Sequence, residues 1–174
     1  MRQTKKVTLS AMLVALGTVM MILGALFEIV DLSVCALASL LVVFAYIELG
    51  APYVYLVWLC TSLATALMFP GSIVWIEYFF VFGIYPILKA FIEKRPRVFW
   101  LPLKLGFINA MTWAIIGLSQ LVFGTPLFAS ELFIMKVFAY ILVNVAFVVY
   151  DAFITVMIRL YFDRFRKRFK KFLK

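Results

Sequence analysis

The chain has 174 residues, of which 67% are hydrophobic and only 14% charged, with a mean hydropathy of +1.11. A water-soluble domain is normally about 45–50% apolar; one this rich in apolar residues would expose large adhesive patches, so the composition excludes a soluble fold and points to an integral membrane protein. The formal net charge of +9, from 17 Lys plus Arg against 8 Asp plus Glu, would suit a nucleic-acid binder unless the basic residues gather at the ends of membrane spans.

At roughly 20 mostly apolar residues per span, the chain divides into six. The first runs from Val7 to Phe27 and stops at Glu28 and Asp31. The second, Leu32 to Leu49, ends at Gly50-Ala51-Pro52. The third, Tyr53 to Phe69, is cut by Pro70-Gly71-Ser72. The fourth, Ile73 to Ile92, is closed by the charged run Glu93-Lys94-Arg95-Pro96-Arg97. The fifth runs from Phe99 to Phe123, before Gly124-Thr125-Pro126. The sixth starts near Leu127 and continues past Met157 into a basic tail. Pro52, Pro70 and Pro126 fall at the breaks, where a missing N–H costs least. Short connections make sequential helices antiparallel neighbours and leave room for one bundle and no soluble domain. The expected fold is an all-α, six-helix transmembrane bundle over residues 1–158, with a basic amphipathic cytoplasmic tail over 159–174.

The basic residues give the expected orientation. With the N-terminus in the cytoplasm, Arg2, Lys5 and Lys6 lie inside. So do Lys89, Lys94, Arg95, Arg97 and Lys104 around the fourth-to-fifth connection, and the eight basic residues from Arg159 to Lys174. Only Lys136 is left outside. This predicts both termini in the cytoplasm, in agreement with an even number of spans. The opening resembles a signal peptide, but an apolar run of about 20 residues exceeds a signal core, so a retained helix is expected. The charge then reports orientation and lipid contact, and no nucleic acid is expected as partner.

Several chemistries drop out. There is no histidine, hence no histidine triad, zinc site or proton relay. Cys35 and Cys60 sit at different depths and read as buried structural thiols, not a disulfide. Neither a dinucleotide fingerprint nor a phosphate loop occurs, so no cofactor or metal is expected. The inner side offers only Glu48, Asp151 and scattered serines, without a nucleophile–base pair, and no enzyme is expected.

In the first helix, Ala11-Met12-Leu13-Val14-Ala15 puts two alanines four apart, a flat strip that lets another helix come close. Ser10 and Gly17 extend it. The strip can pack inside the bundle or receive an outside helix. The segment Lys5-Lys6-Val7-Thr8-Leu9-Ser10-Ala11-Met12-Leu13-Val14-Ala15-Leu16-Gly17 resembles the opening of the substrate-binding S components of energy-coupling factor (ECF) vitamin transporters. The resemblance implies six helices with both ends cytoplasmic and a pocket for a small organic, vitamin-like solute. It also implies that Ala11 and Ala15, helped by Ser10, dock on a transmembrane T subunit driven by two ATPase subunits. It covers Lys5 to Gly17 and includes no substrate-specific motif.

The outer acids are Glu28 and Asp31 in the first loop, Glu77 one turn into the fourth helix, and Glu131 at the start of the sixth. Ionisable groups at membrane depth tend to face a cavity or a partner. Trp75, Tyr78, Trp113 and Tyr140 add aromatic surface, and Asn109, Thr112, Ser119, Gln120 and Asn144 add hydrogen-bonding groups. Glu28, Asp31, Trp75, Glu77, Tyr78, Trp113 and Asn144 are the candidate pocket residues. The competing reading of each is an interfacial belt or a helix–helix hydrogen bond. An excess of outer carboxylates would favour a cationic or zwitterionic ligand. Asp151 reads either as one half of an ion pair with an inner basic residue or as a proton-coupling carboxylate. In the tail, Phe162, Phe165, Phe169 and Phe172 share one helical face. Arg166, Lys167, Lys170 and Lys171 would rest on anionic lipid, at about 1 kcal/mol each. The leading expectation is an S component-like solute binder, and the alternative is a non-transporting scaffold such as an MreD-like cell-shape protein.

Overall fold

The computed structural model describes residues 3–124 and 133–165. Among these residues six helices are long and apolar enough to cross a membrane, and there is no strand. They are α1 (Gln3–Leu26), α2 (Asp31–Glu48), α3 (Ala51–Met68), α4 (Val74–Ile92), α5 (Trp100–Phe123) and α6 (Phe133–Leu160). A π-helical turn, Tyr161–Phe165, prolongs α6. The chain is a multi-pass membrane protein with an all-α bundle. The expected spans agree with these helices to within a few residues where both are described. Glu131 and the tail residues Arg166, Lys167, Lys170 and Lys171 lie outside the described residues.

The breakers act as their chemistry dictates. Gly50 takes φ +90°, a conformation that L side chains rarely adopt. Pro52 then sits in the first turn of α3, where its absent N–H is not needed.

Helices α1, α2 and α3 form a tight unit. A Cβ on Gly17 would come within 3.1 Å of Thr61 Cγ2, and one on Gly24 within 3.3 Å of Val34 Cβ. Small residues thus bring α1 against both neighbours. Met21, Cys35, Ala38, Val42, Val54 and Val57 are fully buried between them. A second core joins α2, α4, α5 and α6 through Val43, Val81, Tyr85, Ile108, Phe147, Tyr150 and Ile154. Helix α4 is the most enclosed span, half of it buried, against 11% for the span of α5 and 17% for that of α6. Cys35 and Cys60 are both free, as expected, but Cys60 is exposed, not buried. It shares the outward face of α3 with Leu56, Leu59, Leu63 and Leu67, a face apolar enough for lipid.

Helix α4 is broken in the middle, and its neighbours repair the break. Residues Tyr78–Phe82 form a π-helical turn in which Gly83 N–H donates to Tyr78 O at 2.7 Å. An α-helix would have used Phe79 O; instead that carbonyl accepts the Trp58 indole N–H at 3.1 Å. Pro86 has no N–H to give Phe82 O, and the Tyr150 hydroxyl donates there at 3.2 Å. Irregular backbone at membrane depth is tolerated when its polar groups find partners in this way. Gly83 is the enabling residue: a Cβ there would lie 2.3 Å from Trp58 Cδ1.

Candidate functional site

Next to this break lies a half-open cavity of about 760 Å³ between α2, α4, α5 and α6. Its wall is apolar and aromatic, with Phe82, Phe147 and Phe153 among the lining residues. The polar residues of the wall are Ser33, Glu77, Thr112 and Tyr150. Thr112 donates to Ile108 O at 2.8 Å and Tyr150 to Phe82 O, so both hydroxyl protons are committed. Glu77 differs. Its Oε2 is buried and has no hydrogen-bond partner. Asp31, in the first turn of α2, is near enough for its charge to act on Glu77.

Of the six pocket candidates whose side chains are described, the structure brings only Glu77 into the cavity wall. Asp31, the first residue of α2, accepts from Leu32 N–H at 2.5 Å. Glu28 begins the one-turn 3₁₀ segment between α1 and α2, and its side chain lies outside the described residues. Trp75 donates to Pro70 O at 3.4 Å. Tyr78 is buried in the α1–α3 core, on the opposite side of α4 from the cavity. Trp113 is 68% exposed on the outer face of α5. Asn144 donates to Asn109 Oδ1 at 3.1 Å and joins α5 to α6, the helix–helix alternative.

Among the wall residues missed by sequence reasoning are Phe147 and Tyr150. With Val143 they recur at helical spacing, four and then three apart. That pattern predicts one buried face, but nothing in it distinguishes a cavity wall from plain core.

The other end of the bundle holds a second polar group. Lys89 pairs with Asp151 and lies 2.7 Å from Glu93 Oε1. Lys104 Nζ lies 3.0 Å from Glu93 Oε1 and 2.8 Å from Asp151 Oδ2. The Tyr85 hydroxyl donates to Asp151 Oδ1 at 2.5 Å. Two ammonium groups thus meet two carboxylates from three helices, and the cluster is neutral. Tyr85, Lys89 and Glu93 are four apart along α4, hence on one face. At the same end, Lys6 reaches Leu49 O at 3.3 Å and Tyr161 reaches Glu48 Oε1 at 2.9 Å. The start of α1 and the ends of α2 and α6 are therefore together. Among the described residues this end collects every basic side chain except Lys136.

On α1, Ala11 and Ala15 are exposed on the outside of the bundle, whereas Ser10 and Gly17 are buried. The Ser10 hydroxyl donates to Lys6 O at 2.8 Å. The alanines and Ser10 therefore do not share a face. No protein-family model, no curated protein and no solved structure matches this chain.

Proposed function

We propose that this chain is a non-catalytic, solute-binding membrane subunit of the S-component kind. It takes a small organic solute into the cavity between α2, α4, α5 and α6. The observation that carries this reading is the cavity itself: its volume of about 760 Å³ falls in the range of small-molecule sites, and its wall has their composition, apolar with few polar groups. By the positive-inside rule, the Lys-rich end faces the cytoplasm of a bacterial cell, and Glu77 then enters from the outside.

Uptake in this reading needs partners: a T subunit and two ATPase subunits that supply the energy. The exposed Ala11 and Ala15 suit close approach of an outside helix, and Ser10 supports the strip from behind. The basic tail rests on anionic lipid. The test is co-purification with T and ATPase subunits and uptake in vesicles, for the chain and for the Ala11→Trp/Ala15→Trp variant. The variant is expected to keep its fold, because both side chains are exposed, and to lose assembly and uptake. Full assembly of the variant overturns the docking assignment. A chain that binds no solute and assembles with no ATPase would favour the scaffold reading.

A further inference from the structure

We infer that the cavity takes an organic cation, an ammonium group on an apolar or aromatic body, with Glu77 as its counter-ion. This deepens the solute-binding reading and rests on it in treating the cavity as a ligand site.

A carboxylate oxygen buried without any partner is expensive. Glu77 Oε2 is in that state, and its side chain lines a cavity large enough for a ligand. Among the described residues no other charged side chain lines the wall. Asp31, whose charge acts on Glu77, is also negative. An anionic ligand would meet two repulsive groups and no cation. A neutral ligand with a hydroxyl or amide N–H could donate to Glu77 but would leave its charge uncompensated, and the wall hydroxyls of Thr112 and Tyr150 already donate elsewhere. An ammonium group in the cavity lies beside the Glu77 carboxylate and neutralises its charge, and charge-assisted bonds are the stronger kind once the carboxylate turns toward the ligand. Phe82, Phe147 and Phe153 surround the rest of the space with aromatic surface, whose negative ring faces attract cations.

The contrast with the opposite end supports the assignment. There each half-buried carboxylate has its lysine within the chain. Among the described residues the fold pairs its inner acids with lysines but gives Glu77 Oε2 no partner. That leaves room for a donor from outside the chain.

The test uses the full chain in lipid nanodiscs and three probes of equal shape: 4-phenylbutylammonium, 4-phenylbutanol and 4-phenylbutanoate. Titration calorimetry is expected to rank the ammonium first by roughly tenfold or more. Glu77→Gln is expected to erase that margin. Equal binding of the three probes by the unaltered chain overturns the cation assignment and leaves the solute-binding reading standing. Binding of none overturns both. The probe ranking on the unaltered chain decides the matter even where the variant fails to fold. Repeating the titration with phosphatidylethanolamine in the disc identifies the source of the cation. Displacement of the probe indicates a lipid headgroup and retention a dissolved amine, and either result keeps the ammonium chemistry.

Discussion

At the lysine-rich end of the bundle two ammonium groups and two carboxylates neutralise one another, tied across α4, α5 and α6 with the Tyr85 hydroxyl as an added donor. At the cavity, a single carboxylate of α4 has a buried oxygen with no partner at all. Both groups sit on the same helix, about two to four turns apart. The difference teaches what each is for. A closed, neutral cluster gains from the fold it holds together. An open carboxylate is a cost to the fold, and a ligand can offset it.

That contrast can be broken by experiment. The largest effect is expected from Asp151→Asn, which leaves two lysines facing Glu93 alone. Removing one partner of a buried ion cluster costs about 3–5 kcal/mol, so a large drop in melting temperature in detergent should follow. The double change Asp151→Asn/Lys104→Met keeps the Lys89–Glu93 pair balanced and should recover part of the loss. If the single change is silent, the cluster does not hold the three helices.

A smaller effect is expected at the break between the two regions. Gly83→Ala drives a methyl into the Trp58 indole, and overpacking of this kind costs about 1–3 kcal/mol. It should also weaken the indole's bond to Phe79 O. A melting curve of this variant equal to the parent's would show that Trp58 can move aside and that the break is not stapled.

The smallest effect on stability is expected at Glu77→Gln. An amide is cheaper to bury than an unpaired carboxylate, so the melting temperature should stay level or rise. A fall as large as that of Asp151→Asn would make Glu77 a structural residue and end the contrast.

Much of the architecture was legible before any coordinates. Span lengths, the breaks at Gly50-Ala51-Pro52 and Pro70-Gly71-Ser72, and the sorting of basic residues to one end all follow from hydropathy and turn chemistry. Asp151 could be read as an ion-pair partner, though not with which lysines. Lys89 and Lys104 read as markers of orientation, yet they are buried partners of Asp151 and Glu93. The candidate site was legible in one residue, Glu77. Tyr78 and Trp113 have the same chemistry as cavity-wall residues but face the α1–α3 core and the outside.

The sequence by itself determined how many helices there are, where they end and how their charges divide. It could do so because a bilayer demands about 20 apolar residues per crossing, and runs that long are countable along the chain. Only the tertiary structure decided which way each side chain turns. In water a polar stripe marks the outside of a helix. In a membrane both faces are apolar, and the azimuth of Glu77, Ala11 or Trp113 depends on the packing of neighbours such as Gly17 on Thr61 and Trp58 on Gly83.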